Sequence, residues 1–537
     1  MDTNEIISKV AKVKSSTIRS KLTTRWDDDL NLYLLNTHSM KGVGKMKDVV
    51  LPGVYNVTSA DPQTYLDRVT AIIAKAEPRL KVISSLKDNQ IETIVNWWRC
   101  VLYNANQYYQ GCANVPIYPT LAFLANLRGY AAARSLIFKQ DGKTIFEILP
   151  LDVYDLYWKK YGPKLSWACI VTLLKEKESI KAEFGIDIDG DASDTHDYYD
   201  DKGNEEIVVG TKKVSRPRTY VKQVPISIHP VVTTPMVSGT NTSRYTMEGE
   251  SLYKAVRQTI KERNDILSII KTHAMLGMRP PLVHTSDGTT DREVNEYPAE
   301  WGTVMEQMAD EKFDSLKFAD MANTNAMLFN MVDGEYQRGT VPNNEYGGLN
   351  FQLSALALDT LSGQRGVVFL PRQTTLENLY KSIFDQMLNQ FIDGSFDVAM
   401  IDESGKTIAI SSADLIPLRD KFRVDFTVDV ESPEQESSNF QKAVMAINAH
   451  MPDDFIVRDV FKSEDPEKLL AKMDDERLLR ELPELRLTRA YDRAMKDASL
   501  LTGDEKEAKL TEAKLLKARI EQLIQQMTQQ PAAPGGQ

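Results

Sequence analysis

Apolar positions recur at helical spacing over much of the chain and alternate at strand spacing in a few short windows, and these two periods divide it into segments. Residues 3–35 read as helix, with Ile6, Val10 and Val13 on one stripe and Lys12 and Arg19 roughly opposite, which predicts a solvated basic face. Asp61-Pro62 places Asp at a cap and Pro at the first helical position, predicting a helix through about Lys75. A second helix is predicted from about Lys87 past Trp97 and Trp98. The apolar stretch from about Tyr118 to Phe138 reads as a helix leading into SLIFKQDGKTIFEILP, where two alternating runs flank Gln140-Asp141-Gly142, a hairpin signal.

The middle of the chain carries two long helical patterns. The first runs from Ser251 to about Met278, with Leu252, Val256, Ile260, Leu267, Ile270 and Ala274 near one face, and ends at Arg279-Pro280-Pro281. At 1.5 Å per residue that is a rod of ~42 Å, longer than the average globular helix. The second runs from Phe313 to about Arg338, with Leu316, Met321, Met327, Leu328 and Met331. Residues 280–312, ~33 in all, join the two, so the rods are expected side by side with a small module at their shared end. GTVPNNEYGG, residues 339–348, reads as a flexible loop before a new helix at Leu349.

Farther on, Thr374 and Glu377 suggest a capping box opening a helix with Leu376, Leu379, Ile383, Met387 and Phe391 on one stripe. Strand-like runs follow at Phe396–Ile401, Thr407–Ile410 and Phe422–Val430. Ser432-Pro433-Glu434-Gln435 is a further capping box, after which the pattern is nearly all helical to Gln530, ending in PAAPGGQ.

Composition then excludes several classes. The chain has 537 residues, 42% apolar and 26% charged, which rules out collagen-like, mostly disordered and disulfide-scaffold proteins. A formal charge of −11 argues against coating nucleic acid through overall charge, so any DNA contact is expected to be local or transient. Cys100, Cys112 and Cys169 have no CxxC spacing and are expected to be inert buried thiols in a reducing compartment. The first residues hold no apolar block of signal-peptide length, and Asn104, Asn106, Gln107, Gln110, Asn114, Pro116 and Pro119 interrupt the uncharged stretch 100–127, so no membrane partner is expected. Residues 183–206 carry ten acidic residues: Glu183, Asp187, Asp189, Asp191, Asp194, Asp197, Asp200, Asp201, Glu205 and Glu206. DIDGD there imitates the start of a calcium loop, but Ala192 and Tyr198 replace the required Gly and Glu, so a solvated mobile surface loop is expected.

Catalytic signatures fail residue by residue. GVGKMK at 42–47 has Ser39 where a phosphate loop needs Gly and Met46 where it needs Ser or Thr. Gly249-Glu250-Ser251 suggests a nucleophile elbow, but Tyr253 replaces its second Gly, and Ser251 reads as a helix-start residue. His38, His196, His229, His273, His284 and His450 have no ligand spacing. No catalytic, cofactor or metal residue is expected. A hydrolase-type enzyme using the Cys100 thiol or an Asp pair within 187–201, and a structural neck or baseplate protein, are the rival classes.

The order of the pieces resembles the portal proteins of tailed double-stranded DNA bacteriophages. SADPQTYLDRV and ANLRGYAAARSLIFKQDGKTIFEILPLDVYDLYW look like the family's N-terminal wing, and ISIHP like a last wing strand. MEGESLYKAVRQTIKERNDILSIIKTHAMLGMRPPLV is similar to the lead-in and first stem helix, with the proline pair at the clip. GGLNFQLSALALDTLSG and PRQTTLENLYKSIFDQMLNQF are similar to a tunnel loop, channel helix and wing helix, and VDVESPEQESSNFQKAVMAINAHMPDDFIVRDVFKSEDPEKLL to the return toward a helical crown.

The resemblance implies an α+β, predominantly helical portal fold assembled as a ring of identical subunits. Its parts would be a wing at 1–246, stem helices at 247–279 and 313–338, a clip at 280–312, a tunnel loop and channel helix at 339–362, a C-terminal wing at 363–452, and a crown with a flexible tail at 453–537. It implies a dodecamer at one capsid vertex that conducts DNA during packaging and ejection. The terminase large subunit, the head-tail adaptor, and the major capsid protein or scaffold would be its partners. Location would be the virion, with host cytoplasm during assembly. On that basis Thr340, Asn343, Asn344, Glu345 and Tyr346 are expected to touch double-stranded DNA transiently in the channel. Asp287, Asp291, Arg292, Glu293, Glu296 and Glu300 are expected to dock the motor.

Overall fold

The computed structural model describes residues 2–42, 47–76, 78–140, 142–162, 164–232, 248–278, 282–286, 311–315, 322–340, 355–401, 407–428 and 433–449, with scattered positions after that. The chain divides into a unit of residues 1–432 and a second from Pro433 onward.

In the first unit the helices are α1 (Thr3–Lys14), α2 (Thr17–Tyr33), α3 (Asp61–Lys75), α4 (Asp88–Ala113), α5 (Ile117–Arg128), α6 (Lys177–Phe184), α7 (Arg257–Met278), α8 (Ala322–Gly339), α9 (Ala355–Asp393) and the single turn α10 (Ser412–Leu415). The strands are β1 (Arg79–Ser84), β2 (Tyr130–Gln140), β3 (Lys143–Pro150), β4 (Leu156–Tyr161), β5 (Lys164–Glu176), β6 (Ala192–Asp200), β7 (Glu205–Val209), β8 (Lys212–Arg216), β9 (Ile226–Pro230), β10 (Leu282–Ser286), β11 (Glu311–Ser315), β12 (Asp397–Ile401), β13 (Thr407–Ser411) and β14 (Phe422–Thr427). They form a five-stranded sheet β4-β5-β6-β7-β8, a three-stranded sheet β3-β2-β9 and the pairs β1-β14, β10-β11 and β12-β13. All pairings are antiparallel. Among the described residues helix accounts for 52% and strand for 25%, so the strand share is larger than a predominantly helical chain would have.

The largest core gathers where α4 and α9 meet the strands. Trp97 and Trp98 pack edge-on against Phe384 at 5.4 and 5.2 Å, and Trp98 meets Phe426 of β14 at 5.6 Å. Offset and edge-to-face contacts at these separations add to the burial of large rings. Polar side chains then fix α9 on β2: Gln390 accepts from the Ile137 N–H at 3.0 Å and donates to the Ser135 carbonyl at 2.8 Å. An amide that both donates and accepts sets the register of helix on sheet.

Several sequence expectations change here. The acidic stretch 183–206 is an exposed loop only around Asp187, Asp189 and Asp191; beyond it the stretch supplies β6 and β7, inside the five-stranded sheet, with Asp197 and Glu205 buried. Their cationic partners, Arg134 and Arg218, lie outside the stretch, so local charge density gave the wrong sign for burial. Arg19 is likewise buried, against the expected solvated face. Its guanidinium donates to the carbonyls of Val153 and Tyr154 and stacks on Trp26 and Tyr157. The apolar helix from Tyr118 ends at Arg128, because Gly129 adopts φ +73°, and a strand begins at Tyr130. Residues 313–315, expected in the second rod, belong to β11, and that rod begins at Ala322. Thr374 opens no helix: α9 runs unbroken from Ala355 through Pro371, and Glu377 instead accepts the Val428 N–H at 3.0 Å. Cys112 is exposed rather than buried. In the second unit α11 spans Pro433–Asn448, where Ala443 and Ala446 pack with Ile456. The predicted crown and tail beyond it fall mostly outside the described residues.

Candidate functional site

The long helix α7 starts at Arg257, six residues later than its apolar pattern suggests, because 251–256 form turns that are held from outside. The Leu252 N–H donates to the Asn126 carbonyl at 2.8 Å, and the Tyr253 hydroxyl donates to the Pro62 carbonyl at 2.8 Å. Arg25 of α2 donates to the carbonyls of Glu248 and Gly249 and to the Glu250 carboxylate. Arg257 grips the fully buried Asp29 with two hydrogen bonds of 2.6 and 2.9 Å. Burial alone would lower the Arg257 pKa; hydrogen bonding and charge pairing with Asp29 outweigh it, so the value is raised. Ser251 is buried and accepts from the Tyr253 N–H and from Arg257, so its hydroxyl is occupied in the joint.

Beyond this root, α7 and α8 pack side by side. Arg263 of α7 pairs with Asp333 of α8 at 3.1 Å and with Asp61 of α3, and lies over the rings of Phe329 and Tyr336 at 5.5 and 5.1 Å. Gly339 at the end of α8 approaches Val256 so closely that a Cβ would stand 2.5 Å from its Cγ1. The start of α7 therefore meets the end of α8, and the pair is antiparallel, with the β10-β11 ladder following α7 and preceding α8. Thr340, expected in a channel loop, is buried at the end of α8 with its hydroxyl donating to the Tyr336 carbonyl at 2.9 Å. Asn343, Asn344, Glu345, Tyr346 and the six predicted docking residues from Asp287 to Glu300 lie outside the described residues.

A second charged joint ties the three-stranded sheet to the five-stranded one. Arg134 of β2 pairs with Glu147 of β3 at 2.8 Å and with Asp197 of β6 at 2.9 Å. Tyr199 donates to Asp197 at 2.9 Å, and Arg218 pairs with Glu205 at 2.9 Å. Burial, with Glu205 and Glu147 nearby, pushes the Asp197 carboxyl up to about 7 against the pull of Arg134 and Tyr199, and its Oδ1 has no hydrogen-bond partner. A cleft of about 670 Å³ opens beside this joint, lined by Tyr108, Phe138, Glu147, Glu205 and Arg218 among others.

The rival enzyme reading points to Cys100 or an Asp pair within 187–201, and the structure places several of these groups. Cys100 is buried in the core around α4, and burial pushes the Cys169 thiol well up. Asp187 sits between Lys177 and Lys181, which lower its pKa, and Asp200 is used up in a turn with the N–H groups of Lys202 and Asn204. Among the described residues no three His, Cys, Asp or Glu are grouped to hold a metal ion, and no helix is long and apolar enough to cross a membrane.

Sequence reasoning missed Arg25, Asp29, Arg257 and Arg263. Each has a charged partner more than 200 positions away in sequence, so no local pattern marks them.

No protein-family model matches the chain, and no curated protein matches it. Solved structures similar to it include a chain of the virion of a native gene transfer agent particle, at 12% identity and TM-score 0.36, covering 73% of this chain and 89% of that one. Another is in the neck of the native particle computed with C12 symmetry, at 11% identity and TM-score 0.35, covering 73% and 89%. A third is in the neck of the empty particle computed with C6 symmetry, at 12% identity and TM-score 0.36, covering 73% and 90%.

Proposed function

We propose that this chain is a portal subunit: copies close into a ring at one capsid vertex, through which double-stranded DNA is packaged and later ejected. The observation that carries the proposal is the antiparallel α7/α8 pair. It is rooted by Arg25, Asp29 and Arg257 in a mixed helical and stranded body and leaves Met327, Leu328 and Met331 exposed on one face. Apolar faces of that kind on a rigid pair suit an assembly contact. The sequence order resembling wing, stem, clip and channel helix supports the same role.

In this role the chain works as a conduit and a docking platform rather than as an enzyme. Packaging energy would come from the terminase large subunit, docked on 280–312 through Arg292 and its acidic neighbours; the head-tail adaptor would use the same end after filling. Subunits would assemble in the host cytoplasm, with major capsid protein or scaffold, and remain in the virion. Loop 340–347 would meet DNA without a strong salt-dependent hold, since its uncharged Asn343, Asn344 and Tyr346 lack the cationic grip of Lys or Arg.

Terminase-driven packaging tests this directly. Procapsids assembled with the chain are expected to take up full-length DNA and protect it from nuclease, and procapsids assembled without it to stay empty. Equal filling of both would overturn the proposal.

A further inference from the structure

Strand β5 breaks its ladder with β6 between Thr172 and Lys175, so that Leu173 and Leu174 together stand against the single Asp194. Leu174 takes a left-handed backbone, φ +48°, and its N–H donates to the Asp194 carboxylate at 3.0 Å. Such a backbone is strained for any residue with a side chain, and a bulge re-aims the side chains it carries. What it displays here is apolar: Leu173 is exposed by 58% and Leu174 by 76%. Exposed acids border the pair, Asp194 across the ladder, Glu176 farther along β5 and Asp191 just before β6. The nearby lysines are taken elsewhere, Lys175 by Glu183 and Lys177 and Lys181 by Asp187. Glu176, Asp191 and Asp194 therefore form no ion pair among the described residues. Strain and apolar exposure at one point mark a contact surface.

The outer face of the β1-β14 ladder is its complement. Leu80, Val82, Val424 and Phe426 alternate onto the core, which leaves Lys81, Ile83 and Arg423 exposed on the other side. Ile83, exposed by 49%, lies across from Arg423 and two residues from Lys81. Asp425, the only acid in the two strands, is held by Lys381 at 2.8 Å. Lys81 and Arg423 form no ion pair among the described residues.

The two patches lie at opposite ends of a stack. Trp167, Cys169 and Val171 of the five-stranded sheet face α1, and by alternation Leu173 continues that outward side. Ala168 and Tyr199 face the other way, onto Ala132 of β2 and Ile226 of β9, while Ala131 and Ala133 of β2 pack toward the helices. On α9, Gln386 and Gln390 reach the Val224 and Ser135 carbonyls, whereas Glu377 and Lys381 reach the Val428 N–H and Asp425. Each of these helix positions has its counterpart nine residues on, about two and a half turns, so β14 and the three-stranded sheet flank α9 on opposite sides. The order is five-stranded sheet, three-stranded sheet, α9, ladder.

We infer that the Leu173-Leu174 bulge of one subunit seats on the outer face of the β1-β14 ladder of a second copy of this chain, with the leucines on Ile83 and the acids against Lys81 and Arg423. Unlike patches on opposite ends of one body make a head-to-tail contact, which closes into a ring by rotation. An apolar centre set among cations fits an apolar knob set among acids; a nucleic-acid backbone has no apolar group to cover Ile83. The inference rests on the ring reading above and names a contact beyond the α8 face.

Full-length variants, followed by sedimentation and imaging beside the unsubstituted chain, test it. Glycine takes φ +48° without strain, so Leu174→Gly is expected to leave the denaturant midpoint of the dissociated subunit at or above its original value while the assembled fraction falls at least tenfold. A lowered midpoint with unchanged assembly would make the bulge an internal feature and end the inference. Lys81→Glu/Arg423→Glu is expected to lower assembly at least tenfold, and adding Glu176→Lys/Asp191→Lys to bring the rings back. Failure of that rescue would refute the pairing of the two faces, and intact rings with lost DNA retention in Lys81→Glu/Arg423→Glu would assign the ladder to nucleic acid instead. Rings from the unsubstituted chain and from every variant alike would overturn this contact and leave the ring reading standing; no rings from the unsubstituted chain would overturn both.

Discussion

Gly129→Ala is expected to destabilise the first unit by about 3 kcal/mol or more, combining a left-handed backbone with an overpacked contact. Gly129 has φ +73°, and a Cβ there would stand 2.1 Å from the Gly249 carbonyl oxygen and 2.6 Å from the Glu250 carbonyl carbon. Backbone cannot swing away as a side chain can. The same crossing carries the hydrogen bonds from the Val231 N–H to the Gly129 carbonyl and from the Glu250 N–H to the Val231 carbonyl. Any displacement therefore reaches the root of α7. Gly142→Ala provides the comparison: φ is +76°, but nothing lies within 4 Å of its Cβ. It should show the backbone penalty alone, about 1 kcal/mol. Denaturant unfolding of the two variants checks the difference; equal losses would mean that the close approach at Gly129 contributes nothing.

Asp197→Asn should stabilise the protein at pH 8 and leave it unchanged near pH 4. The native carboxyl ionises near 7 instead of its ordinary 3.8, so over that interval the native state holds a proton that the unfolded chain has released. Stability therefore falls as pH rises from about 4 to about 7 and is level above. An amide takes no part in this titration, yet it can still accept from Arg134 and Tyr199. The advantage of the variant should grow to on the order of 2–4 kcal/mol by pH 8. A difference that is flat with pH, or a variant less stable at pH 8, would refute the assignment of the buried proton.

How much of this was legible beforehand differs by element. The hairpin at Gln140-Asp141-Gly142 was readable because turn chemistry and alternation are local, and Gln140 indeed pairs with Lys143. The two rods were readable because helical periodicity is local as well, and their side-by-side packing followed from the short connection. Their ends were not. The start of α7 is set by Asn126, Pro62 and Arg25, which reach it from distant segments and override the apolar pattern of Ser251–Val256. The acidic stretch was misjudged for the same reason: Asp197 and Glu205 look solvated until Arg134 and Arg218 are brought to them by the sheets. Of the expected channel residues, Thr340 is a helix-end residue with a filled hydroxyl.

Ring formation is the central claim, and single-particle imaging of the purified full-length chain, alone and co-expressed with capsid scaffold, tests it most directly. The account predicts closed rings of identical subunits around an open central channel. Single subunits of one size under both conditions, across concentration and salt, would contradict it.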